Sequence, residues 1–410
     1  MRSLLFIFFL LSWGLGYSQI QKSSSSQDKG RSEEKAGKAD AFSNDSVVLQ
    51  EQTVRKKKEL KKTEQKLQNT PARNAYGYEM EAADVEEVSQ APSAAYKDAT
   101  INFEYSKKRS SVQRTQRSPS VSQQAEMDNA VGYFEENSPS SFEYHYFKYT
   151  AGNYDLNRYS HLKEAEKLRP NNSDVHVQSA AYHIIKGNKS NAIAYMDKLI
   201  ASKRLNINVL KYAEDILHSV PKNGTLITHG FDDSYGAWYV QAAKGIRSDV
   251  NLISLDFLQS EAYRNELSGK GYKMPTQTKV DVNFLNQFCK LNSAKKLTIS
   301  MTTPKEYLKP VLSNVYVTGL VFAYHSSSYN NFQRNVDLWE GSLKKELVMS
   351  ANDEKSKRLS ANYLPMLLQM RKVYKQQGNT KKVKELDATI DKIGVQCKKY
   401  DQVQTLKGAY

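Results

Sequence analysis

Cysteine is nearly missing: 410 residues hold only Cys289 and Cys397. That excludes a disulfide-stapled scaffold, so the fold must stand on its apolar core. A bridge between the two is permitted in an oxidising compartment; two unpaired, half-buried thiols is the alternative. No Cys-x-x-Cys, His-Glu-x-x-His, Gly-x-Ser-x-Gly or phosphate-loop pattern occurs, which removes the common zinc, redox, serine-hydrolase and nucleotide chemistries. "HSSSYNN" (His325 to Asn331) puts serines beside a histidine, but adjacency is not a triad, and a polar loop explains it. Past the N-terminus no run reaches the roughly 18 apolar residues of a spanning helix, so no transmembrane segment is expected.

At the N-terminus Arg2, the apolar core "LLFIFFLL" and the small residues Gly16 and Ser18 read as a secretory signal, residues 1–18, cut near Ser18. The mature chain is expected in the periplasm or outside the cell. Its charge is unevenly placed: the net charge is +15, and residues 341–410 alone hold 15 basic against 7 acidic residues. A basic face steers anionic partners, here acidic glycans, lipid head groups or an acidic protein surface; nucleic acid is disfavoured by compartment. A lysine-rich solvated surface with no partner fits the same count.

From 19 to 130 the chain is rich in Ser, Gln, Lys and Glu, with apolar residues too sparse to offset the entropy of ordering. It reads as a disordered low-complexity arm, with one marginal helix over Val47 to Gln68. Residues 131–220 read as helical hairpins. Gly152-Asn153 and Gly187-Asn188 form corners 35 residues apart, and Val177, Ala181, Ile184 and Ile185 make a helical stripe. Glycine suits the left-handed corner, and Ser173 or Asp174 can cap the following helix. Such a step resembles tetratricopeptide repeats, whose period is about 34 residues; Ala165, Pro170 and Ala192 sit at that family's small and closing positions.

Between 221 and 330 the period changes. "GTLITHG", "DVNLISLDFL", "KKLTISM" and "NVYVTGLVFAY" read as strands, alternating with helices over Asp233–Gly245 and Val280–Ser293. That order predicts a small parallel, Rossmann-like α/β sheet with crossover helices. Residues 331–410 return to helices in a basic region, with the same corner at Gly378-Asn379 and Pro365 in a first turn or at a kink. The fold class is therefore α/β plus all-α, with helical hairpins flanking the sheet.

Ligands in open parallel sheets bind at the carboxyl ends of the strands. His229, Asp232 and Asp233 fall there after the first strand, and Asp256 after the second. Two carboxylates and an imidazole could take a divalent metal or sugar hydroxyls, with Trp238 or Tyr235 as a stacking surface. Each has a plainer role: Asp233 as helix cap, Asp232 in an Asx-turn, Trp238 and Tyr239 in packing, His229 as a loop histidine. No metal or cofactor is expected.

"VPKNGTLITHGFDDSYGAWYVQAAKGIRSDVNLISLDFL" resembles the soluble part of a Bacteroidota family of multi-pass, protein O-mannosyltransferase-like proteins. The matching residues are Pro221, Gly224, Thr228, Gly230, Asp233, Trp238, Tyr239, Gln241, Gly245, Ile246, Arg247, Asp249 and Val250. The likeness covers about 221–395. Phe231 stands where the family has its first acidic loop residue and Gly236 where it has proline. Without membrane helices the lipid-linked sugar site has no place, so the resemblance implies fold and compartment, not transfer. Asp233, Trp238 and Arg247 are the positions it marks, with Arg247 and Asp249 as a turn-fixing pair. The expected function is a non-enzymatic binding or scaffold protein of an envelope assembly engaging a protein partner. The alternative is a carbohydrate-binding or carbohydrate-processing domain using the Asp232/Asp233 loop.

Overall fold

The computed structural model describes residues 93–409. The signal at 1–18, the remainder of the arm to 92 and its Val47–Gln68 helix lie outside the described residues. Order starts earlier than composition predicts: Ser93–Thr115 and Val121–Asn137 are helices. The second begins in a capping box, with the Ser120 side chain accepting from Gln123 N while the Gln123 side chain accepts from Ser120 N. Sparse apolar residues suffice because they converge. Tyr105, Met127, Val131 and Phe134 are buried with Phe147 from the Phe142–Thr150 helix, and the Tyr105 and Phe147 rings stack at 3.8 Å.

The hairpin Ser173–Ile185 and Lys189–Ala201 forms as expected, turning through Gly187 at φ 70°. Its first helix is capped by Asn172, whose side chain accepts from Asp174 N and Val175 N, and not by Ser173 or Asp174. At the Gly152-Asn153 corner the left-handed residues are Asn153 and Tyr154, not the glycine. Gly378-Asn379 repeats the Gly187 geometry, with Asn379 capping Thr380–Gln396.

Five strands form one sheet in the order β2-β1-β3-β5-β4: β1 Thr225–Thr228, β2 Asn251–Ser254, β3 Leu297–Ser300, β4 Val315–Thr318 and β5 Val321–Tyr324. β1 pairs parallel with β2 and β3. β5 is antiparallel to both β3 and β4, so the sheet is mixed and the all-parallel expectation is corrected. The run 314–324, read as one strand, folds back at Gly319, φ 58°, the left-handed value a two-residue hairpin loop requires. Gly319 N donates to Asn335 Oδ1 at 2.8 Å and Leu320 N to Ser219 Oγ at 2.9 Å, so the hairpin tip is bonded to helices on two sides.

A single hydrophobic core unites the three segments separated by sequence period. It holds Val177 and Leu217, then Leu226, Ile253, Phe288 and Phe322, then Leu367 and Ile390. Cys289 and Cys397 are both buried and both free, which corrects the permitted disulfide. Each thiol fills apolar space within the core, and burial pushes the Cys289 thiol up to about 12.

Candidate functional site

The carboxyl ends of β1 and β2 meet a segment absent from any sequence-level expectation. His229 leaves β1 extended, and the helix Gly230–Lys244 begins at once, with no side-chain cap of its own. Its first N–H is capped from the neighbouring strand: Gly230 N donates to Asp256 Oδ2 at 2.8 Å. The other Asp256 oxygen accepts from Arg117 Nη1 at 2.7 Å, an ion pair whose side chains are 2% and 12% exposed. Arg117 arrives on the linker between the two N-terminal helices. That linker is tied down by Arg117 N and Ser118 N donating to Val280 O, and Val280 N donating to Ser118 Oγ at 2.8 Å.

Electrostatics follow from this burial. Desolvation alone would raise the Asp256 carboxyl; the Arg117 charge and hydrogen bond, with the Gly230 N–H, outweigh it and hold it below its usual range. Burial, reinforced by the Arg117 charge, pushes His229 down to about 3, so its ring is neutral near pH 7. Tyr307, itself buried, lies beside the pair, its ring centroid 6.4 Å from that of His229.

The two aspartates of the loop part company. Asp233 lies within the helix, 2% exposed, and accepts from the Ser300 and Thr302 hydroxyls at the end of β3. It is neither cap nor outward ligand; it joins the β1 loop to the β3 loop. Asp232 faces the other way and pairs with Lys355 at 2.7 Å. Trp238 is half-buried and packs against the core. Tyr235 donates to Val177 O at 3.0 Å and Tyr239 to Asp197 Oδ1 at 2.7 Å, both tethers to the preceding hairpin. Gly236 sits where the helix crosses Ile207–Ser219: a Cβ there would lie 3.2 Å from Val209 Cγ1.

Arg247 behaves as the expected turn-fixing residue, and further. Its Nε and Nη2 grip both Asp249 oxygens at 2.8 and 2.9 Å. Its Nη1 donates to Leu217 O and Val220 O at 2.8 and 3.0 Å, satisfying carbonyls at the end of Ile207–Ser219. The hydrogen bond from Arg247 holds Asp249 well below the usual carboxylate range.

The structure thus unites His229 with Asp256 and the unforeseen Arg117, and separates Asp232, Asp233, Trp238 and Arg247 into four different supports. Among the described residues no group of three His, Cys, Asp or Glu side chains is arranged to hold a metal, and no helix is long and apolar enough to cross a membrane. Arg117 had one indirect signal, the Ser-x-x-Gln capping box that starts three residues after it.

Asp233 makes a pH prediction. Burial raises its carboxyl to about 6, with the two hydroxyls opposing and Asp232 adding to the rise. A raised folded value means the native state holds the proton more tightly than the unfolded chain, at about 3.9. Its contribution is complete below about pH 4 and is lost as pH climbs through about 6. The stability of Asp233→Asn, permanently neutral, relative to wild type should therefore climb by about 3 kcal/mol between those limits and stay level above them. Urea denaturation of both proteins across this range checks it; a difference independent of pH means the carboxylate is not desolvated.

Residues 209–405 match the family described as TMEM260-associated domain 2. This segment encloses the 221–395 over which the sequence resembles the soluble region of such a family, and adds the Ile207–Ser219 helix almost whole. No curated protein and no solved structure matches the chain.

Proposed function

We propose that this chain is a non-enzymatic binding or scaffold protein of a bacterial envelope assembly, exported to the periplasm or beyond. In this reading its helical hairpins, related to tetratricopeptide repeats, present surfaces to a protein partner. The observation that carries the reading is the employment of the loop residues. Asp233 binds Ser300 and Thr302, Asp232 pairs with Lys355, and Arg247 holds Asp249 with three carbonyls. Polar groups spent on joining elements favour a rigid platform over turnover.

One corner offers a partner something to bury. Met349, Val395 and Tyr400 are 68%, 64% and 44% exposed. The helix carrying Val395 is bonded to the segment before Met349 and to Met349 itself, through Gln396 Nε2 to Val348 O and Lys392 Nζ to Met349 O, each at 3.2 Å. Apolar side chains rimmed by lysines suit a protein surface with an acidic border. The family resemblance, to a soluble region attached to bacterial membrane proteins, supports the envelope setting.

Crosslinking in intact cells, followed by identification of attached proteins, tests this. A discrete envelope partner, lost from the Met349→Glu/Val395→Glu variant while its fold persists, is the expected result. Recovery of no protein partner overturns the scaffold reading.

A further inference from the structure

The amino ends of β1, β2 and β3 border a pocket of about 340 Å³, at the opposite edge of the sheet from His229 and Asp256. That is room for a small-molecule ligand. Thr225 opens β1, Asn251 opens β2 and Lys296 stands immediately before β3; Asn223, Lys270, Tyr272 and Lys295 continue the wall, and none of the lining residues is acidic. A concave space lined by charge of one sign concentrates ions of the other. Lys270 has its own partner, Glu266 at 2.6 Å. Lys295 and Lys296 meet no carboxylate among the described residues. Lys295 Nζ lies over the Tyr272 ring, 5.0 Å from its centroid, and Lys296 Nζ donates to Lys222 O at 3.3 Å. Asp249, which accepts from Asn223 N, has both oxygens engaged by Arg247.

The wall is held in place from behind. Tyr272 is buried, and its hydroxyl shares a 2.7 Å hydrogen bond with Thr225 Oγ1, which donates in turn to Lys295 O at 3.2 Å. Asn223 and Lys296 both keep left-handed backbones, at φ 55° and 49°, a conformation that costs side-chain-bearing residues energy and gathers at ligand sites.

We propose that this pocket binds a small phosphate monoester, its phosphoryl group between Lys295 and Lys296 and its hydroxyl-bearing body against Asn223 and Asn251. Charge selects the class. With Lys270 matched by Glu266, two positive charges remain, and a phosphate monoester carries nearly two negative ones at pH 7. A sulfate ester or a carboxylate carries one and leaves a lysine unmatched. Lysine ammonium groups hold phosphate as point charges. A bare phosphate ion would leave much of the volume to water. The asparagine amides offer a donor and an acceptor each, which suits hydroxyl groups; Asn251 Nδ2 reaches Gly224 O only at 3.5 Å, so it is readily redirected. The pocket does not depend on the scaffold reading, and either can fail alone.

Calorimetric titration of the full chain with glucose 6-phosphate, at constant ionic strength in sodium chloride, tests the site. Saturable binding is expected, tighter than that of inorganic phosphate and absent with glucose. Lys295→Gln/Lys296→Gln keeps most of both stems, removes both charges and should weaken binding at least about tenfold. Lys381→Gln/Lys384→Gln removes the same charge from exposed positions on the Thr380–Gln396 helix, which does not line the pocket, and should change affinity by less than about twofold. If the pocket variant does not fold, the wild-type Asn223 and Asn251 side-chain amide resonances decide, and both should shift as glucose 6-phosphate is added. No saturable binding, equal losses in the two double variants, or unmoved asparagine amides overturns the site. Glucose 6-sulfate binding as tightly overturns the choice of a dianion, and inorganic phosphate binding as tightly overturns the hydroxyl contacts.

Discussion

Gly319→Ala should lower stability by about 3 kcal/mol, read as a shifted urea midpoint with unchanged slope. Two costs combine. At φ 58° a side chain pays roughly 1–2 kcal/mol for the left-handed backbone. The added Cβ would also lie 2.7 Å from Ser219 Cβ and 3.0 Å from Leu338 Cδ1. Those atoms cannot retreat freely, because Ser219 Oγ accepts from Leu320 N and donates to Asp215 O at 2.8 Å. Gly341→Ala is the control, since a Cβ there meets nothing within 4 Å; it should stay within about 0.5 kcal/mol of wild type. If both variants melt alike, the hairpin tip is not seated on the helix.

Asp215→Ala should cost more, about 3–5 kcal/mol. Its fully buried carboxylate accepts from Lys344 N at 2.6 Å, Lys345 N at 2.9 Å and Tyr363 Oη at 2.5 Å. Alanine leaves all three donors without an acceptor in the interior, each worth about 1–3 kcal/mol. Tyr363→Phe removes just one donor and should cost about 1 kcal/mol. Calorimetry separates the two, and a loss in Asp215→Ala no larger than in Tyr363→Phe means the backbone donors find other acceptors.

Elements whose side chains alone determine them were legible in the sequence. The apolar runs around Leu226, Ile253 and Ile299 announced strands, and the stripe from Val177 to Ile185 announced a helix, because burial imposes its period directly on residue type. The fold-back at Gly319 was not legible: "VTGLVF" stays apolar through the turn because its tip is buried against Ser219 and Leu338. Nor was the site. Asp232 and Asp233 are neighbours in sequence, yet on a helix successive residues point about 100° apart, so one reaches Lys355 and the other Ser300. Arg117 was hidden by its surroundings, a polar stretch in which one buried arginine looks like the solvated ones. Its partners Asp256 and Val280 lie far along the chain, where no local pattern points to them.

The bonds that seat the Ile207–Ser219 helix span large stretches of chain: 101 residues from Ser219 to Leu320, 129 from Asp215 to Lys344, and 145 from Asn208 to Asp353. Contacts so far apart close slowly, since the intervening loop must lose its freedom before any of them forms. During synthesis the helix would emerge long before its acceptors and donors. The apolar face of the helix can pack early against Gly230–Lys244, which follows it closely in the chain, while its buried polar groups stay unmatched until the last third arrives.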